Sequence, residues 1–226
     1  MSSHLVKKRF KAVLFDMDGV VIDSMKYHAE SWVRIFSQLG LKVTENDIFL
    51  KEGIKPSELI TETFKEFGHH TLSETEIADI LEKKVKYFWG KYHPLPYPEA
   101  IDCFNELEKL DYRMAIVSGS TRLSVETVME NFSLSRYFEV IIHSDLISIG
   151  KPHPMSYLTA MEKLHLDPEE CLCIENAPYG IRSARSAGIF TAALTTTLKE
   201  DILYEAGANL VIHSHKQIRE ILSGDN

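Results

Sequence analysis

Two aspartates spaced two apart, Asp16 and Asp18, close the short apolar run Val13-Leu14-Phe15 and are followed by Gly19. Glycine releases the backbone into a tight turn there. If the run is a strand of an open α/β sheet, ligands bind outside its carboxyl end, and both carboxylates face the site. Close carboxylates suit Mg²⁺, a hard cation that takes oxygen ligands. They also suit a split between nucleophile and acid/base, because neighbouring charges drive two pKa values apart. Aspartates after strands are also common turn residues, so the pair alone leaves both readings open.

Three later segments carry matching chemistry. Val117-Ser118-Gly119-Ser120-Thr121 follows a buried apolar run and opens a helix, offering a hydroxyl and free backbone N–H groups to an anion. A helix N-cap would use the same residues. Gly150-Lys151-Pro152-His153-Pro154 puts a lysine in a stiff loop just before a helix, where a solvated side chain is the plain alternative. Cys173-Ile174-Glu175-Asn176 places an acid and an amide at a strand end, where they could complete a metal site.

Positioning such groups takes a sheet, and six segments read as its strands: Ala12 to Asp16, Met114 to Ser118, Val140 to His143, Leu172 to Glu175, Phe190 to Leu194 and Leu210 to His213. Each is a compact apolar run bounded by Gly, Ser, Asp or Asn. Little alternation predicts burial on both faces, as in a parallel sheet. From Tyr97 onward the runs alternate with helical periods at Pro98 to Leu110, Pro154 to Leu164 and Tyr179 to Ala187, the pattern of a doubly wound α/β domain. Between Ser24 and about Lys91 only helical periods occur: Tyr27 to Leu39, Leu59 to Phe67 and Ile77 to Phe88. A helical unit is thus inserted after the first strand, and the proline-rich run His93 to Pro98 reads as the return linker.

Composition narrows the function classes. The 226 residues suggest one large domain or a core with an insert, at ~150 residues per domain. Twenty-five basic against 33 acidic side chains give a net charge of −8, which argues against nucleic-acid and anionic-membrane partners. No apolar run approaches the ~20 residues of a membrane span. Lys7-Lys8-Arg9 followed by Ala12 to Phe15 faintly resembles a signal peptide, but the apolar stretch is shorter than the usual ~7–15 residues. Three cysteines without zinc-ligand spacing predict reduced thiols and a cytoplasmic protein. No long exposed apolar stripe is legible, so a monomer is expected rather than an obligate oligomer.

Taken in order, Asp16-Met17-Asp18-Gly19, Ser118, Lys151 and Glu175-Asn176 resemble the four motifs of the haloacid dehalogenase superfamily, over nearly the whole chain. Val21 to His28 and Pro178-Tyr179-Gly180-Ile181-Arg182 are similar to its β-phosphoglucomutase-like branch, which carries a small helical cap after the first motif. The resemblance implies a Rossmann-like doubly wound parallel sheet core, residues 1–22 and 96–226, with an inserted α-helical cap, residues 23–95.

It also implies roles. Asp16 would attack a phosphoryl group and form an aspartyl-phosphate. Asp18 would protonate the leaving oxygen and then take a proton from the hydrolytic water. Mg²⁺ would be held by Asp16, the main-chain carbonyl of Asp18, and Glu175 or Asn176. Ser118, Gly119 and Lys151 would hold the phosphoryl oxygens. A dehalogenase would not need Asp18, so the second aspartate argues for phosphate chemistry. Asn176 departs from the branch, which usually has a second carboxylate there; an amide oxygen binds Mg²⁺ without adding charge.

The expected activity is a Mg²⁺-dependent phosphohydrolase for a small phosphorylated metabolite or pyrophosphate. A β-phosphoglucomutase is the nearest alternative, but Gly53-Ile54-Lys55-Pro56-Ser57 has Pro56 where an arginine would be expected, and Lys55 is not an equivalent phosphate clamp. A non-catalytic phosphate-binding module is the alternative outside enzymes. His28 and Lys55 are candidate cap-side contacts, as is Glu52, which in a closed state could reach the metal and leave room only for a small substrate. His28 could equally be packing on its helix, and Glu52 an exposed helix-end residue. Cys171 and Cys173 are expected in the core, His69 and His70 in solvent, and Asp23 and Ser24 in the hinge without catalytic roles.

Overall fold

The computed structural model describes residues 10–68 and 70–223; Lys7-Lys8-Arg9 and His69 lie outside the described residues. Its sheet contains β1 (Ala12–Phe15), β2 (Arg113–Val117), β3 (Val140–Ile142), β4 (Cys171–Glu175), β5 (Phe190–Leu194) and β6 (Leu210–Ile212). The strand order is β3-β2-β1-β4-β5-β6 and every neighbouring pair is parallel. The expected strands overran by one residue at Asp16, Ser118, His143 and His213, which stand at the carboxyl edge just beyond the ladder.

Alternate residues of β1 enter two different cores, which explains its unbroken hydrophobicity. Val13 and Phe15 pack with α5 (Pro98–Lys109), α6 (Arg122–Asn131) and α10 (Lys216–Ser223). Ala12 and Leu14 pack with α7 (Met155–Leu164) and α8 (Pro178–Ser186). Cys171 and Cys173 lie in that second core, and all three cysteines are free and buried. The short α9 (Glu200–Glu205) and α10 carry too few periodic apolar positions to have been read from sequence. No helix among the described residues is long and apolar enough to cross a membrane.

Between β1 and α5 the chain folds into α1 (Met25–Gln38), α2 (Glu45–Phe49), α3 (Pro56–Thr63) and α4 (Glu74–Lys91). α3 runs on into a π-helical turn, Phe64–Gly68. Trp32, Phe36, Ile48, Ile60, Phe64 and Ile80 give this helical unit its own core. A capping box at Ser73 and Glu76 starts α4, and Pro56 opens α3 at a position where a missing N–H costs nothing. The two connections to the sheet run side by side. Ile22 bridges Pro96, the Asp23 N–H donates to Leu95 O at 2.9 Å, and the Tyr97 hydroxyl donates to Asp23 Oδ1 at 3.1 Å.

Candidate active site

In the order β3-β2-β1-β4-β5-β6 the chain turns from one direction to the other between β1 and β4, the switch point where open α/β sheets bind ligands. The register Phe15↔Ile174 brings Asp16 and Glu175 out at that point. Lys151 joins them: its ammonium lies 2.7 Å from Asp16 Oδ1 and 2.6 Å from Glu175 Oε1, and donates to Val117 O at 2.9 Å. All three donors of a nearly inaccessible lysine are thereby used. Burial opposes the charge on Lys151, but Asp16 and Glu175 outweigh it and raise its pKa. Burial also pushes the Asp16 carboxyl well up, with Glu175 acting the same way against Lys151.

Glu175 is enclosed. Its Oε1 also accepts from the Tyr157 hydroxyl at 2.7 Å, and its Oε2 accepts from the Asn176 N–H at 3.1 Å. Ser118 lies buried beneath the neighbouring loop, its hydroxyl oxygen accepting from the Ser120 N–H at 3.0 Å.

Asp18 meets a different set of groups. Its Oδ1 accepts from the Ser24 hydroxyl at 2.6 Å and lies 3.1 Å from His28 Nε2; its Oδ2 accepts from the Ser120 hydroxyl at 2.7 Å. Burial alone would raise this carboxyl, but His28 and the three hydrogen bonds hold it well below the usual range. Behind His28, Lys84 Nζ lies 2.6 Å from Nδ1. An ammonium donates to Nδ1, so Nε2 carries the hydrogen that Asp18 accepts. Lys84 stands over the rings of Trp32 and Phe88, and burial lowers its pKa to about 8 against the opposing pull of Glu52 and Asp18. Burial raises the Glu52 carboxyl, with His28 and Lys84 opposing.

These groups surround a cavity of about 40 Å³, with Asp16, Asp18 and Asn176 on the sheet side and His28, Glu52 and Lys84 on the helical side. That is room for roughly three water-sized groups. The seam above it is tight: a Cβ on Gly119 would stand 2.4 Å from Gly53 O. Lys55 Nζ donates to Ile147 O at 3.0 Å, and Glu58 Oε1 accepts from the Gly150 N–H at 3.2 Å. The helical unit is therefore shut onto the sheet. Lys55 is used in holding it there and is absent from the cavity lining.

The donor set fits a magnesium ion. Asp16 offers a carboxylate, and the amide oxygen of Asn176 is buried with no hydrogen-bond partner, an oxygen that a cation would satisfy. Among the described residues no three Asp, Glu, His or Cys side chains converge as a ready-made cage. Mg²⁺ commonly keeps several waters and takes only one or two carboxylates.

The structure thus gathers Asp16, Asp18, Gly119, Asn176, Glu52 and His28 around one cavity, and sets Ser118, Lys151 and Glu175 behind it. Ser24, expected to have only a hinge role, bonds Asp18 directly because the first turn of α1 starts beside the β1 turn. Ser120, Lys84 and Tyr157 were missed. Lys84 had a signal: Ile80, Lys84 and Phe88 lie four apart, so a charge sits in the apolar stripe of α4. Tyr157 had none, since it reads as core like Ala160 and Leu164 beside it.

A sequence model of haloacid dehalogenase-like hydrolases matches residues 13–194. A validoxylamine A 7'-phosphate phosphatase from Streptomyces hygroscopicus subsp. limoneus is 29% identical over 206 residues, 87% of this chain and 91% of that one. Pyrophosphatase PpaX from Oceanobacillus iheyensis is 28% identical over 190 residues, 84% of this chain and 86% of that one. A solved structure from Bacteroides vulgatus, provisionally named a beta-phosphoglucomutase, matches with a TM-score of 0.86 and 31% identity, covering 96% of this chain and 91% of that one. With its motifs on the switch-point edge of such a sheet, the chain belongs to the haloacid dehalogenase-like hydrolase family.

Proposed function

We propose that this enzyme is a Mg²⁺-dependent phosphohydrolase that works through an aspartyl-phosphate on Asp16, with a small phosphorylated metabolite or pyrophosphate as substrate. The observation that carries the reading is the 2.7 Å pair of Asp16 and Lys151 at the floor of the closed cavity, with Asp18 facing the same space. A carboxylate so held keeps one oxygen on Lys151 and leaves the other to attack phosphorus. As that bond forms, the bond from phosphorus to the leaving oxygen breaks. Asp18 is an anion while His28, Ser24 and Ser120 bond to it. It serves the departing group once substrate displaces such a bond and the carboxylate takes up a proton from solvent to pass on. In the second half Asp18 takes a proton from water, whose oxygen attacks phosphorus and frees Asp16. Lys151 offsets the repulsion between nucleophile and phosphate, while Ser118 and the Gly119 N–H orient the phosphoryl oxygens.

Bound Mg²⁺ would supply positive charge to the phosphoryl oxygens. Asp16, the Asp18 carbonyl and Asn176 Oδ1 are the residues we assign to it. Glu175 is assigned instead to holding Lys151, because its oxygens already serve Lys151, Tyr157 and a backbone N–H.

A cavity of about 40 Å³ must widen for any phosphorylated substrate, and it favours the smallest leaving group, for which pyrophosphate is the substrate we assign. Glu52 presents a buried carboxylate oxygen without a partner beside that space. The mutase reading is less well supported, since Lys55, the residue standing nearest the expected clamp position, is spent on Ile147 O. The test is phosphate release over sugar phosphates, nucleotides, phosphonates and pyrophosphate, with Mg²⁺ and with chelator, alongside conversion of β-glucose 1-phosphate. Mg²⁺-dependent release, strongest on pyrophosphate or another small substrate, is expected. Mutase turnover without release would overturn the hydrolase reading, and no turnover on any compound would favour a binding role.

A further inference from the structure

The loop after β5, Thr195-Thr196-Thr197, takes no part in the chemistry above, yet it touches both sides of the ion-binding corner. The Thr196 hydroxyl donates to Gly19 O at 2.5 Å, tying the loop to the turn that follows Asp18. Thr197 Oγ1 accepts from Asn176 Nδ2 at 3.0 Å. The same nitrogen is packed onto Gly19, where φ is +80° and a Cβ would stand 2.0 Å away. The other end of the amide, Oδ1, is buried without a hydrogen-bond partner next to the cavity.

A carboxylate has two equivalent oxygens, so rotation by half a turn changes nothing. An amide has chemically opposite ends of nearly equal size. Turned over, Asn176 would present N–H donors to the cavity in place of the oxygen, and would repel a cation. Something must hold the nitrogen outward. Thr197 is half-buried, so its hydroxyl proton can face water while a lone pair accepts from Nδ2.

We propose that Thr197 is a positioning residue for Mg²⁺ binding: it holds the amide oxygen of Asn176 toward the cavity. The need for it arises because residue 176 is an amide rather than a carboxylate. This rests on the reading that Asn176 Oδ1 takes the ion.

The test is Mg²⁺ binding by calorimetry on the full chain without substrate, with thermal unfolding to check the fold. Thr197→Val should weaken binding roughly 3- to 10-fold, the value of one polar hydrogen bond. Thr197→Ser, which keeps the hydroxyl, should remain within about twofold of the parent. In an Asn176→Asp background, whose side chain needs no orientation, Thr197→Val should cost less than about twofold. An equal loss in both backgrounds would show that the threonine merely packs the loop, and no loss in the parent would equally overturn the proposal. Asn176→Ala serves as the separate control: unchanged Mg²⁺ affinity there would remove Asn176 from the ion and overturn the underlying reading as well.

Discussion

Lys84 in α4 meets His28 in α1 at 2.6 Å, and through it the buried carboxylate of Asp18 at 3.1 Å. A cationic side chain of the helical unit therefore stands two contacts from the proposed acid/base beside the sheet. Its position is costly. Burial holds Lys84 at about 8, against 10.5 for a free lysine.

The sign of the resulting pH dependence follows from linkage. Between pH 8 and 10.5 the unfolded chain binds the proton that folded Lys84 has released, so stability rises with pH across that window. Below pH 8 the full penalty is present. Lys84→Met is expected to unfold at higher denaturant concentration than the parent at pH 7, by on the order of 1–3 kcal/mol. The gap should shrink on going to pH 10, while turnover falls in the variant. A gap that does not change with pH would mean that the lysine's charge is not what burial opposes.

Asp16→Asn should abolish turnover, by on the order of 1,000-fold or more, because an amide cannot carry the phosphoryl group. It replaces a carboxyl that burial and Glu175 already disfavour as an anion, so a large loss of stability is not expected. Steady-state rates together with a melting curve check both halves. Undiminished Mg²⁺-dependent hydrolysis would remove Asp16 as nucleophile.

Glu52→Ala should lower pyrophosphate hydrolysis roughly tenfold and an ordinary sugar phosphate about twofold at most. The difference is expected because its buried, unpartnered oxygen lies where only a small substrate permits full closure. Equal, small losses on both compounds would place Glu52 outside the site.

Glu58→Ala removes the acceptor that grips the Gly150 N–H, and Lys55→Ala removes the donor to Ile147 O. Each loss should shift the closed-to-open ratio of the cap by roughly 3- to 10-fold toward open. In competition assays, kcat/KM should move from pyrophosphate toward bulkier phosphate esters. If both variants keep the parent's preference, closure does not set substrate size.

The sheet was legible because β1, β2 and β4 are buried on both faces and leave unbroken apolar runs, and the motifs sit at their carboxyl ends. The helical insert was legible from α1 and α4, whose apolar stripes are long. α2 spans only Glu45–Phe49 and buries Ile48 alone, too little for any period to register. What the sequence withheld was mostly direction. Glu175 and Asn176 are adjacent candidates for one ion, but strand geometry turns one under the core and the other toward the cavity. Lys55 sits in the expected cap segment, yet its ammonium reaches a core carbonyl rather than the substrate space. Such choices are made by packing between segments far apart in the chain.

Ile22 beside Pro96 has one more meaning. The whole helical unit leaves and re-enters the sheet at a single gate, so to the sheet it is topologically no more than a loop. Mutations that reshape the far side of the roof, away from His28 and Lys84, need not disturb the register that sets Asp16 beside Glu175.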